Sequence, residues 1–161
     1  MTYHDVMAVT KVDSTLVAIE EAVVTLVRAG RSARLQDRVV ADSGLSVDAA
    51  AYGVLRALGD EGPLSMTSLA RALSVEVSTM SRHVARLERD GFVERGHHPG
   101  DGRVVVLGLS DAGRSALTAL RAARRRLFAE LLSTWSPADR EMFAPLLGRL
   151  AADLTRFGGD S

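Results

Sequence analysis

In the segment EVSTMSRHVARLERD, from Glu76 to Asp90, apolar and polar residues separate cleanly when wound at about 100° per residue. Val77, Met80, Val84 and Leu87 fall on one side and form a face fit for burial. The opposite side carries Ser78, Thr79, Arg82, Ala85, Arg86 and Arg89, with Ser81 and His83 on the flanks. Small hydroxyl residues let a helix approach phosphates and base edges closely, and an arginine one turn further on reaches guanine O6 and N7 as a bidentate donor. This is the chemistry that the major groove of double-stranded DNA requires. Further along, Arg103 suits insertion into a minor groove, and Asp101 is placed to orient its guanidinium through a charge-assisted pair. His97 and His98 are adjacent with no third ligand near them, so they read as loop residues and no metal site is expected.

Composition narrows the remaining chemistry. The 161 residues include no cysteine, which removes disulfides, thiolate zinc sites, cysteine nucleophiles and thiol-based sensing. Neither a Gly-rich phosphate loop nor a Ser-His-Asp or paired-carboxylate arrangement occurs in a convincing setting, so neither an enzyme nor a cofactor is expected. Twenty basic residues balance twenty acidic ones, so net charge alone does not announce a nucleic-acid binder. Arginine nevertheless gathers locally, at Arg82, Arg86 and Arg89 and again at Arg121, Arg124, Arg125 and Arg126; the second group reads as a solvated helix face. No apolar run approaches the roughly 18 residues that span a bilayer, and MTYHDVMAVTKVDS lacks the basic start and apolar stretch of a signal peptide. The expectation is a cytoplasmic protein with no membrane partner.

The surrounding pattern shows how the Glu76–Asp90 helix is held. Residues 1–12 have no strong periodicity and read as an arm. From Asp13 or Ser14 the residues Leu16, Ile19, Val23 and Leu26 form one stripe of an amphipathic helix, expected to run to about Val40, past Gly30, with ADSGL as the connecting turn. Asp48 caps a second helix with Tyr52, Leu55 and Leu58 inward, ended by GDEGP. Ser65 caps a short third helix with Met66, Leu69 and Leu73 inward, and a tight break at Ser74 and Val75 leads into the Glu76–Asp90 helix, which Gly91 closes. Two short helices so joined are a helix-turn-helix. FVERG and VVVLGL read as two strands around the turn HHPGDG, forming a wing, so residues 65–109 make a winged helix-turn-helix. Ser110 caps a long helix from Asp111 to about Thr134, with Leu117, Leu120, Leu127, Phe128 and Leu131 on its apolar side. Ser136 and Pro137 start a last helix, whose stripe is Phe143, Leu146, Leu150, Leu154 and Phe157. Pro145 inside it predicts a kink or break near Phe143.

The fold class is therefore mainly α with a small β-hairpin wing. Three regions are expected: 1–44, an arm and a dimerisation helix; 45–110, the winged lobe; 111–161, a long connecting helix and a C-terminal dimerisation helix. The terminal stripes exceed what a lobe of about 60 residues can bury alone, so a partner must cover them.

GPLSMTSLARAL from Gly62, then STMSRHVARLERDGFVER, then the wing with Pro99, Asp101 and Arg103, then LSDAGR, resemble in order and spacing the MarR family of bacterial transcription regulators. The resemblance covers nearly the whole chain. It implies an obligate homodimer whose first and last helices interlock, with two winged domains on a palindromic operator. By position, Ser78, Thr79, Ser81, Arg82 and Arg86 fall where the family contacts the major groove, and Ser65 and Thr67 where it holds phosphate. Asp101 and Arg103 match its wing motif, with Gly102 where an additional arginine is common. The family often binds a small phenolic or anionic effector between the dimer helices and the DNA-binding lobe. The expected function is a homodimeric, sequence-specific DNA-binding regulator, a repressor modulated by a small ligand. The alternative is a winged protein-interaction module without DNA binding.

Overall fold

The computed structural model describes residues 13–30, 32–98 and 100–158, with the side chains of His98 and Asp101 left out. The order is α1 (Ser14–Gly30), α2 (Ala33–Ser43), α3 (Ala49–Glu61), α4 (Met66–Ala72), α5 (Val77–Arg89), β1 (Val93–His98), β2 (Asp101–Leu109), α6 (Asp111–Leu131) and α7 (Pro137–Gly158). The residues through Leu120 form one compact unit and those from Arg121 a second. The arm at residues 1–12 and the wing residue Pro99 lie outside the described residues.

Local chemistry accounts for most boundaries. Asp13, Asp48, Ser65 and Ser136 each accept a backbone N–H at a helix start, with N···O distances of 2.8–3.1 Å. α5 ends as a Schellman motif: Gly91, at φ 77°, donates to the Glu88 carbonyl and Phe92 donates to that of Leu87. α4 ends the same way, with Ser74 donating to Arg71 and Val75 to Ala70. Here the left-handed residue is a serine at φ 52°, a conformation that strains any residue bearing a Cβ.

Three expectations need correction. The first helix does not run to Val40: it stops at Gly30, and extended Ser32 (φ −64°, ψ 121°) precedes a separate α2. Glycine disfavours helix by about 1 kcal/mol, and serine competes for local backbone bonds, so the stripe is interrupted there. The wing's turn is shorter than HHPGDG, because His97 and His98 belong to β1 and Asp101 and Gly102 to β2. His97 pairs with Val105 and His98 with Asp101, so the register slips at the tip. Finally, α7 passes through Pro145 without a break. Pro145 removes one N–H, while helix-forming stretches on both sides carry the helix across it.

In the first unit, α2, α3, α4 and α5 pack with the hairpin around Val54, Leu55, Leu69, Met80, Val84, Leu87 and Leu107, each at most 1% exposed. Removing a residue such as Leu69 to Ala would cost about 2–5 kcal/mol. A third strand contact, with Leu64 and Leu107 exchanging both backbone hydrogen bonds at 3.0 and 2.8 Å, ties the segment before α4 to the wing. α1 and α7 bury no residue. Leu16, Ile19 and Leu26 on α1 and Leu146, Leu154 and Phe157 on α7 are exposed, as are Phe128 and Leu131 on α6.

Candidate nucleic-acid interface

α5 is rooted through Met80, Val84 and Leu87, all at most 1% exposed, and this fixes which way its other side points. Ser78, Ser81, Arg82, Ala85, Arg86 and Arg89 face outward and Thr79 is half-buried. Val77, expected on the buried face, is instead 46% exposed. It is the first residue of α5, and a helical wheel does not register where the covering neighbour ends.

The outward polar groups are not equivalent. Arg82 Nη2 donates to Thr79 Oγ1 at 3.2 Å, a neutral contact one turn back that aligns the guanidinium along the helix. Arg86 Nη1 donates to Asp48 Oδ2 at 2.8 Å, while its Nε lies 3.7 Å from Asp90 Oδ2. Arg95 on β1 grips Glu88 bidentately, Nε to Oε1 at 2.5 Å and Nη2 to Oε2 at 3.1 Å. That hydrogen bond first, and the Glu88 charge second, raise the Arg95 pKa above its ordinary value. Arg95 and Glu88 thus brace the wing on the end of α5, a role that the linear pattern of FVERG did not single out.

Ser65 is occupied at the start of α4: its hydroxyl accepts from Ser68 N at 3.1 Å and donates to Ser68 Oγ at 2.9 Å. Thr67 beside it is exposed. In the wing, Arg103 is exposed on β2; the Asp101 side chain, and with it the expected pair, lies outside the described residues. His97 is exposed on β1.

The LSDAGR segment locks this lobe to α6. Ser110 N donates to the Phe92 carbonyl at 3.1 Å and Ser110 Oγ to that of Gly91 at 2.6 Å, while Gly113 N donates to Ser110 Oγ at 3.0 Å. Arg114 reaches back to the Leu109 carbonyl at 2.5 Å and to Asp111 at 2.6 Å. Gly113 is required by closeness, since a Cβ there would stand 2.0 Å from the Phe92 carbonyl oxygen.

This arrangement, two short helices at a tight turn with a hairpin against the second, recurs among known proteins. The MarR family model matches residues 48–105, from the cap of α3 into β2. The HTH-type transcriptional regulator YxaD of Bacillus subtilis is 32% identical over 105 residues, covering 65% of this chain and 73% of that protein. The regulator Mb0904 of Mycobacterium bovis is 37% identical over 100 residues, 62% of this chain and 66% of its own. Among solved structures, a MarR family protein from Bacillus stearothermophilus superposes with a TM-score of 0.74 over 89% of this chain and 98% of that one, at 23% identity. A probable transcriptional regulator from Pseudomonas aeruginosa is 30% identical, with a TM-score of 0.56 over 78% of this chain and 93% of that one. With the family pattern lying across the very helices and hairpin of the candidate interface, and relatives at this identity over most of their length, the chain belongs to the MarR family of winged helix-turn-helix transcription regulators.

Proposed function

We propose that the protein is a homodimeric, sequence-specific regulator that reads a palindromic DNA operator with two copies of α5. The observation that carries this reading is the outward face of α5, where Ser78, Thr79, Ser81 and Arg82 stand on a base of fully buried Met80, Val84 and Leu87. Arg82 is assigned to base edges and Ser78, Thr79 and Ser81 to bases and nearby phosphates. Val77 adds an exposed apolar surface suited to a thymine methyl. Thr67 is assigned to phosphate, with Ser65 holding the start of α4, and Arg103 to the minor groove with Asp101 as its orienting partner. The apolar stripes of α1 and α7, uncovered in the single chain, support a second copy as their cover. A groove of about 480 Å³ lined by Trp135, Met142, Phe143 and Leu146 adjoins the exposed apolar stripe of α7.

Repression, relieved by a small phenolic or anionic effector, completes the proposal on the strength of family membership. Mobility shifts on a duplex of about 20 base pairs with half-sites one turn apart test the reading, and strong salt dependence is expected. Equal affinity for the chain's own upstream region and for random DNA would defeat it. Complete absence of DNA retention at low salt would favour the interaction-module reading.

A further inference from the structure

We propose that Arg86 is a positioning residue rather than a DNA contact: through it, Asp48 sets how α5 meets the duplex, and base reading is left to Ser78 through Arg82. This rests on the DNA reading of α5 given above. Asp48 uses both carboxylate oxygens, Oδ1 accepting from Ala51 N at the start of α3 and Oδ2 accepting from Arg86, each at 2.8 Å. One carboxylate thus joins the first turn of α3 to the last turn of α5, across 38 residues of sequence. A second carboxylate, that of Asp90, has its Oδ2 3.7 Å from Nε of the same guanidinium. With two carboxylates this near, Arg86 offers a phosphate or a guanine little uncompensated charge, and swinging its guanidinium to either would break a short charge-assisted bond.

The neighbouring positions follow one plan. Glu88 is held by Arg95 of β1, so residues 86, 88 and 90 tie the C-terminal end of α5 to α3 on one side and to the wing on the other. Arg82, one turn earlier, donates to the neutral Thr79 hydroxyl. The charge ties are thus concentrated at the end of α5 opposite its reading turns. At about half exposure the Asp48–Arg86 pair is screened, so its contribution is to orientation more than to stability.

Asp48→Asn isolates the tie, because asparagine keeps an oxygen for Ala51 N and is a good N-cap. Arg86→Gln removes the charge and keeps part of the alkyl stem. DNA affinity would be measured against salt for the wild type, both single variants and the double variant, with thermal unfolding of all four. Each single variant is expected to weaken specific-site binding about three- to tenfold and the double variant no further, as for two residues acting as one unit. The slope of log K against log salt and the preferred site stay as in the wild type. A slope lowered by about one in Arg86→Gln but not in Asp48→Asn would make Arg86 a phosphate contact and overturn the proposal. Tighter binding by Asp48→Asn would overturn it as well. If the wild type prefers no DNA site, the DNA reading falls, and the tie itself is decided separately by NMR of the arginine side chains: an Arg86 Nε–H signal that Asp48→Asn leaves unmoved would refute it.

Discussion

Gly113→Ala should damage this protein far more than a glycine-to-alanine change in a helix ordinarily does. The added Cβ would stand 2.0 Å from the Phe92 carbonyl oxygen and 3.0 Å from its carbonyl carbon. A carbon–oxygen approach of about 3.3 Å is the usual limit, so the start of α6 or the Phe92 peptide must move by more than about 1 Å. Both groups are pinned. Phe92 O accepts from Ser110 N at 3.1 Å, and Ser110 Oγ links Gly91 O and Gly113 N at 2.6 and 3.0 Å. Loosening two or three of these bonds costs about 0.5–1.5 kcal/mol each, and forcing the backbones apart about 1–3 kcal/mol. Against this stands a helix-propensity gain of about 1 kcal/mol. The net expectation is a loss of about 1–6 kcal/mol, at roughly 2–4 °C in Tm per kcal/mol for a chain of this size. The control is Gly53→Ala in α3, where the new Cβ would meet only Leu73 methyls at 3.8 and 4.0 Å and should leave stability unchanged or raised by up to about 1 kcal/mol. Urea unfolding of the three proteins, followed by far-UV circular dichroism, gives both differences. If Gly113→Ala unfolds within about 0.5 kcal/mol of the wild type, the inference from close approach is wrong.

Other substitutions probe the remaining features. Ser74→Gly relieves the φ 52° strain between α4 and α5 and should stabilise by about 1 kcal/mol; equal or lower stability in urea unfolding would show that the turn is unstrained. Arg82→Ala should cost about 1–3 kcal/mol of operator binding and relax preference at one base position, and selection from random duplexes would refute this if every position stays as sharp. Arg103→Ala should weaken binding evenly across sequences and flatten the salt dependence by about one phosphate, whereas loss of preference at a single position would assign it to direct reading. Leu154→Arg, on the exposed stripe of α7, should shift the mass seen by light scattering from dimer to monomer; an unchanged dimer would place the interface elsewhere.

Glu88→Gln and Arg95→Gln bear on how the wing is carried. The bidentate pair joins β1 to α5, yet Arg95 is half exposed, so its loss should scarcely move the unfolding midpoint. Its effect should fall on the wing's contribution to DNA affinity.

What the sequence determined by itself is whatever a residue settles with neighbours within about four positions. Asp48, Ser65 and Ser136 cap helices because their side-chain oxygens meet a backbone N–H three residues ahead, and Gly91 closes α5 because only the chain next to it is involved. The buried Met80, Val84 and Leu87 follow from helical periodicity alone, and with them the direction in which Ser78 and Arg82 point. Tertiary structure decided what depends on atoms remote in the chain. Arg86 and Arg82 look alike in sequence, and the short bond that sets Arg86 apart comes from Asp48, 38 residues away at the start of α3. The closeness of Gly113 to Phe92, the pairing of Leu64 with Leu107 and the bracing of Glu88 by Arg95 are likewise absent from any local pattern. Val77 shows the limit of periodicity, since a wheel ranks faces but does not know where the covering helix ends. Burial and charge pairing are properties of the assembled neighbourhood, so the outline of α5 could be drawn from its residues while the engagement of each polar group on it could not.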